Sequence, residues 1–343
     1  MYSNKLVDIS NWQSGNNDFV PIGKRIKRVV FEPETEKLYY FKVPKDKYPW
    51  EFWTEVISYR IGQGLDFNVL KYEPAISKDI VGCLSPSMVG ENEELIHGQQ
   101  FLTQILPTFE TKKGTDHNFQ LIESFFRSNE GHEAAFEEFI HMLVFDAVIG
   151  NRDRHQQNWA MIRGIEIEIK NLKLNAKIFS QDASPLKIIW RLIRLGLSRK
   201  VNKSIGNMEL EIKEHYKFSP FFDNGNCLAY NIIESKIGDM MKNETQLENY
   251  LFGNKAVSHV KWAGIPITHI DLLKNVSENY KEEVLRAIEK VSINVKNISF
   301  EDIVTNIDNG FDVIQKDYIL SLQRKELICK LLEARVTRLL SSF

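Results

Sequence analysis

Cysteine is scarce in this chain. Only Cys83, Cys227 and Cys329 occur among 343 residues, odd in number and far apart, which argues against a disulfide framework or a zinc site. Long apolar runs are missing as well. A membrane-spanning helix needs roughly 20 consecutive apolar residues, and the best run, His141 to Gly150, is interrupted by Asp146. Met1 to Trp12 carries Lys5 and Asp8 and no apolar stretch, so it does not read as a signal peptide. These absences together point to a reducing, cytoplasmic setting. There is no excess of either charge: 44 Lys+Arg stand against 46 Asp+Glu, a formal net charge of −2, and nothing in that balance calls for nucleic acid. No Gly-x-Ser-x-Gly occurs, which removes the common serine-hydrolase reading.

What is present is ordinary globular composition, 43% hydrophobic and 26% charged, enough for a substantial core. At roughly 100 to 200 residues per domain, the length fits two compact units or one large bilobal domain. No internal repeat or low-complexity segment occurs. Arg28 to Glu32, the turn residues Pro33 to Glu36, and Lys37 to Val43 form a hairpin pattern rich in aromatic and β-branched residues. After Pro49 the spacing turns helical, with Phe52, Val56 and Tyr59 on one stripe and Trp53, Ile57 and Ile61 beside it. Gly62 and Gly64 are expected to stop that helix. Leu70 to Ser87 reads as short strands punctuated by Pro74 and Pro86, and helical signals are expected to dominate beyond Glu91. Glu133 to Gly150 is the strongest helix, with Phe136, Phe139, Ile140, Leu143, Val144 and Ala147 on the i, i+3, i+4, i+7 template. Ile270 to Val291 and Asp317 to Leu340 read as two long helices. The expectation is an α+β fold: a small, mainly antiparallel β lobe over about residues 1–90 and a larger helical lobe over 91–343.

Chemistry concentrates in three places. Ile149-Gly-Asn-Arg-Asp-Arg-His-Gln-Gln-Asn-Trp159 closes the strong helix and places Asp153, His155 and Asn158 within six positions. Asp followed five residues later by Asn is the spacing of a phosphotransferase catalytic loop, the Asp accepting a hydroxyl proton and the Asn binding Mg²⁺. The same two residues also suit a loop braced by side-chain bonds to its own backbone. Phe218-Ser-Pro-Phe-Phe-Asp-Asn-Gly-Asn-Cys-Leu228 sets Asp223 before a glycine turn, either as a hard oxygen ligand for Mg²⁺ or as a plain Asx turn. Lys42, late in a strand, and Glu55, on the next helix, either orient phosphates as an ion pair or sit in water, Lys42 as an edge-strand solubiliser.

These residues, with Tyr40-Phe-Lys-Val-Pro44 and Gly64, occur in one order along most of the chain and resemble the HipA-like serine/threonine kinases, including the short, cell-translocating-kinase type. The catalytic loop is also similar to that of phosphoinositide kinases. The resemblance implies a kinase-like bilobal fold, ATP and Mg²⁺ as cofactors, Asp153 as catalytic base and His155 as the brace of the catalytic loop. It implies Asn158 and Asp223 as metal ligands, and Gly23, Lys27, Lys42, Glu55, Met88 and Val89 as the cofactor-binding set. It further implies a protein substrate and a regulatory, antitoxin-like protein partner. A lipid or small-molecule acceptor, or an inactive nucleotide-binding fold acting through a protein partner, are the alternatives. The sequence departs from the pattern in three ways. Only Gly23 stands in the phosphate-covering turn Pro21 to Lys27, where Lys24, Arg25 and Lys27 either hold phosphates by charge in place of a glycine-rich loop or form a solvated turn, and no serine is present. Asn224 follows Asp223 in place of an aromatic residue. An insertion is expected over about 166–214, and its basic stretch Lys187 to Lys200 suits either an acidic, membrane or RNA surface or a packed helix with a solvated basic side.

Overall fold

Alternation of apolar and polar residues in Lys27–Phe31 and Leu38–Lys42 builds the hairpin at the centre of the first sheet. The computed structural model describes residues 6–15, 27–111, 114–170, 209–253, 256–311 and 313–343. Gly23, Lys24, Arg25 and the basic stretch 187–200 lie outside them. Six strands share one sheet: β1 (Val7–Asp8), β2 (Gln13–Ser14), β3 (Lys27–Phe31), β4 (Leu38–Lys42), β5 (Glu73–Ser77) and β6 (Ile80–Pro86), in the order β1-β5-β6-β4-β3-β2. All neighbours are antiparallel except β1 and β5. The β3–β4 turn closes with Glu36 in the left-handed region, φ 56°, as its backbone N–H donates to the Glu32 carbonyl. Because β4 is flanked by β3 and β6, its last residue, Lys42, is interior to the sheet and only 6% exposed. The edge-strand reading of Lys42 is thereby removed.

Helix α1 (Glu51–Gly64) packs against β5 and β6 and is buried on nearly every side. It runs through Gly62 and ends at Gly64, so Gly62 does not stop it. A Cβ at Gly62 would lie 2.2 Å from Cγ2 of Val69, which shows why glycine stands at this helical position: the chain doubles back across it. Asp66, at φ 63°, makes that reversal, and the Phe67 N–H donates to the Gly62 carbonyl at 2.8 Å.

The second sheet was not expected. β7 (Glu93–His97), β8 (Ala160–Lys170) and β9 (Glu209–Phe218) pair antiparallel in that order, the β8–β9 register running from Met161↔Phe218 to Lys170↔Glu209. The alternation Ile165-Glu-Ile-Glu-Ile-Lys170 is a period-2 strand signal that reading 166–214 as an insertion passed over. The helices α2 (Gly98–Ile105), α3 (Phe119–Arg127) and α4 (Glu133–Ile149) follow β7. From Phe139 to Ile149 α4 is buried on every side, and it is the spine of the main core, which joins α1 residues such as Trp53 and Ile57 to Leu332 and Leu339 near the carboxy end. The expected long helix over Ile270–Val291 is two, α7 (His269–Ser277) and α8 (Lys281–Asn294), because Tyr280 leaves helical geometry at φ −130°, ψ 49°. α5 (Glu234–Lys242), α6 (Glu244–Phe252) and the short α9 (Phe300–Thr305) complete the set with α10 (Leu322–Ser342). α10 starts at Leu322 and not Asp317: Ser321 caps it, accepting from the Arg324 N–H, while the Tyr318 carbonyl is held by the Trp53 indole at 2.6 Å. No helix among the described residues is long and apolar enough to cross a membrane.

Overpacking a filled site costs about 1–3 kcal/mol, more than the roughly 1 kcal/mol that alanine returns over glycine by helix propensity. Gly62→Ala therefore lowers the urea-unfolding midpoint. Combined with Val69→Ala it costs less than the sum of the two single changes; strict additivity would show that the close approach at Gly62 is not limiting.

Candidate active site

Lys42, Glu55, Asp153, Asn158 and Asp223 converge where α4 ends. Gly150 takes the left-handed conformation, φ 69°, and its N–H, with that of Asn151, donates to the Asp146 carbonyl at 2.8 and 3.0 Å. That reversal sends residues 151–159 back across the carboxy end of the helix. Arg154, fully buried, then turns inward. Its Nε and Nη2 donate to the two carboxylate oxygens of Asp146 at 2.9 and 2.7 Å, Nη1 to the carbonyls of Asn158 and Phe222 at 2.7 and 2.6 Å, and Nη2 also to Asn224 Oδ1 at 2.6 Å. Burial works against the Arg154 charge, but the Asp146 carboxylate outweighs it and holds the guanidinium above its ordinary value. One side chain thus clamps the catalytic-loop candidate to the segment carrying Asp223.

Within the loop, Asp153 is fixed by its neighbours. Its N–H donates to Asn151 Oδ1 at 3.1 Å, its carbonyl accepts from Asn158 Nδ2 at 2.7 Å, and its Oδ2 accepts from Asn226 Nδ2. Because the Asn158 amide nitrogen is committed, its amide oxygen is the atom presented elsewhere. The His155 ring accepts on Nδ1 from the Gln157 N–H at 3.1 Å, and the His155 backbone N–H donates to the Asp153 carbonyl at 2.8 Å, the geometry of a loop brace.

Asp223 does not sit in an exposed Asx turn. Its backbone is left-handed, φ 55°, a conformation that costs a non-glycine residue of order 1–3 kcal/mol and persists only when its surroundings impose it. Those surroundings come from α1: the Asn224 N–H donates to Glu55 Oε2 at 2.8 Å, and the Gly225 carbonyl accepts from the Thr54 hydroxyl at 2.9 Å. Glu55, fully buried, uses its other oxygen on Lys42, and Lys42 Nζ also reaches Asp223 Oδ1 at 2.5 Å. Lys42, Glu55, Asp153, Asn158 and Asp223 are therefore joined in one polar network through Asn224, Asn226 and Arg154. Lys27 stands opposite Lys42 in the β3–β4 register. Met88 packs on the core just after β6, and Val89 is tied to the Ser87 hydroxyl through both its N–H and its carbonyl.

The donor set suits a hard cation: a carboxylate and an amide oxygen, without sulfur or imidazole. Among the described residues no group of three or more His, Cys, Asp or Glu could hold a metal by itself, and Mg²⁺ is ordinarily held by one or two protein oxygens together with phosphates and water.

Neither a protein-family model nor a curated protein sequence matches the chain. Among solved structures, the crystal structure of the Helicobacter pylori proinflammatory kinase CtkA superposes with a TM-score of 0.70 over 98% of this chain and 96% of that one, at 16% identity. The chain has the HipA-like kinase fold. HipA of Shewanella oneidensis, solved with HipB and operator DNA, matches at TM-score 0.52 and 10% identity, over 95% of this chain and 66% of HipA.

Arg154, Asp146 and Asn226 were missed as site residues. Asp146 had a visible signal, an acid inside the otherwise apolar run Met142 to Ile149 that requires a buried cation, with Arg154 eight positions on. Removing one partner of a buried ion pair costs about 3–5 kcal/mol, so Arg154→Met is expected to destabilise by that order in urea unfolding. Arg154→Met combined with Asp146→Leu recovers part of the loss; no recovery would mean that the pair is not the source.

Several histidines around the loop are buried and neutral. Burial first, then Arg335, Arg152 and Arg154, lowers His269 from its ordinary 6.5 to about 3, and burial with His259 and His155 depresses His117 well below 6.5. The unfolded chain takes up these protons near 6.5 and the folded chain does not. Stability is thus full above pH 6.5 and falls below it by about 1.4 kcal/mol per pH unit for each such histidine, continuing for His269 to about pH 3. Unfolding free energies measured between pH 7 and pH 5 check this; a flat profile would contradict it.

Proposed function

We propose that the chain is an ATP- and Mg²⁺-dependent kinase of the HipA-like type that transfers phosphate to a serine or threonine hydroxyl of a protein. The observation that carries this reading is Lys42 held by both Glu55 and Asp223, with Asp153 and Asn158 on one loop clamped to the Asp223 segment. Residues 1–90 would form the nucleotide lobe, with Gly23, Lys27, Met88 and Val89 on the nucleotide and Lys42 on its phosphates. Asn158 and Asp223 would hold Mg²⁺, whose chemistry is to neutralise charge on the transferring phosphate.

The remaining work is positioning, since phosphoryl transfer asks little covalent chemistry of the protein. Asn226 fixes Oδ2 of Asp153, which turns Oδ1 to the acceptor hydroxyl as the proton acceptor. His155 and Asn158 hold the backbone of Asp153 while the proton moves. The Asp-to-Asn spacing matches a phosphotransferase catalytic loop and supports phosphoryl transfer; the choice of a protein acceptor rests on the HipA-like resemblance. HipA in the Shewanella structure is accompanied by HipB, and we extend that to a regulatory, antitoxin-like protein partner for this chain.

Incubation with labelled ATP, Mg²⁺ and a protein extract, followed by phosphoamino-acid analysis, tests the proposal. Asp153→Asn should reduce transfer by about 10² to 10⁴ while ATP binding persists, because the base acts on the acceptor. Asp223→Ala should remove the Mg²⁺ dependence of ATP binding in calorimetry. Transfer unchanged in Asp153→Asn, or label recovered only in lipid, would defeat the reading.

A further inference from the structure

A cavity of about 230 Å³ opens at the amino end of α7, between α6 and α10. None of Lys42, Glu55, Asp153, Asn158 or Asp223 lines it. Its walls carry Arg335, Arg338, Lys274 and His269 against a single acid, Asp271, whose carboxylate accepts from the Thr268 hydroxyl that caps the helix. The cavity is below the roughly 300–1,000 Å³ of pockets enclosing drug-sized ligands, so it suits a compact group.

Two buried side chains make the cavity more than a basic surface. Arg335 is 6% exposed and forms no ion pair with any described carboxylate. It donates from Nη1 to the Ile149 carbonyl at 2.9 Å and hydrogen-bonds Tyr250, both neutral partners. A guanidinium has five N–H donors, and a buried cation without a counter-charge is costly. Burial accordingly lowers Arg335 below its ordinary value. The position is kept open for it: Gly150 would bring a Cβ within 2.2 Å of the Arg335 Cζ. His269, also 6% exposed, has no hydrogen-bond partner on Nε2, while its ring is bonded to the Asn151 backbone carbonyl. With the ring proton on that carbonyl, Nε2 is an acceptor that no donor meets.

Negative charge for three cations and a hydroxyl for a lone pair specify the occupant. We propose that this cavity binds hydrogen phosphate or the phosphate of a small monoester, with Arg335, Arg338 and Lys274 meeting the charge and His269 Nε2 accepting from a hydroxyl. Sulfate has the same shape and no proton to give at neutral pH. The site is independent of the proposed kinase chemistry, yet its two buried members hold the carbonyls of Ile149 and Asn151, the start of the catalytic loop.

Calorimetry on the full chain, without nucleotide or Mg²⁺, tests this with sodium phosphate, glycerol 1-phosphate and sodium sulfate. Saturable uptake of one phosphate is expected, with sulfate weaker by at least about tenfold, one charge-assisted hydrogen bond in affinity. Tighter binding of glycerol 1-phosphate assigns the natural group to an ester, and weaker binding assigns it to the free ion. Lys274→Gln with Arg338→Gln, both exposed and outside the core, should weaken phosphate at least about tenfold, and Lys42→Ala should leave it unchanged. No saturable heat at millimolar phosphate overturns the proposal, as does binding that is lost in Lys42→Ala but kept in the double variant. Equal affinity for sulfate overturns the role given to His269.

Discussion

The buried pair of Arg154 and Asp146 is the constraint on which the arrangement of the site depends. Desolvating two full charges costs several kcal/mol for each, and attraction offsets that only when geometry is good and every remaining polar atom is satisfied. Both conditions hold, since the carboxylate is engaged at both oxygens and the guanidinium reaches two carbonyls and an amide besides. The partners of Arg154 belong to three stretches: α4, the loop that follows it at Asn158, and, far along the chain, Phe222 to Asn224. Moving any one of them would leave buried polar atoms unpaired, and that penalty keeps the three in register.

Glu55 performs the corresponding task on the side of the first sheet. One of its oxygens meets Lys42 from β4 and the other the backbone of Asn224, so α1 relays the position of the sheet to the segment that bears Asp223. Asn224 is the shared member, touching Glu55 through its backbone and Arg154 through its side chain. The departure from an aromatic residue after Asp223 therefore has a local reason: an amide oxygen is required to satisfy Arg154 in a fully buried position.

Much of this was legible in the sequence, and the reasons differ by residue. The Asp153 to Asn158 loop was visible because six polar positions interrupt a strongly periodic helix, and the β3–β4 hairpin because its alternation and turn residues agree. The interior place of Lys42 could not be read from parity, since strand order decides whether β4 is an edge and order is set by pairings distant in sequence. Gly62 misled because a glycine that ends a helix and one that admits a crossing chain look alike until Val69 is placed. The second sheet was overlooked because β7, β8 and β9 lie far apart along the chain, so their pairing leaves only the weak local alternation of β8. Asp146 was seen as an interruption of an apolar run and not as a charge in search of a partner.

The pairing of β8 with β9 also fixes a distance. Lys170 and Glu209 face each other across the ladder, and the same ladder carries Met161 and Phe218 beside the loop and the Asp223 segment. The separation of those two segments is set by rungs of backbone hydrogen bonds, and the number of residues strung between Lys170 and Glu209 does not enter it. The ladder thus works as a ruler, and the spacing across the chemistry is written in its rungs from Met161↔Phe218 to Lys170↔Glu209.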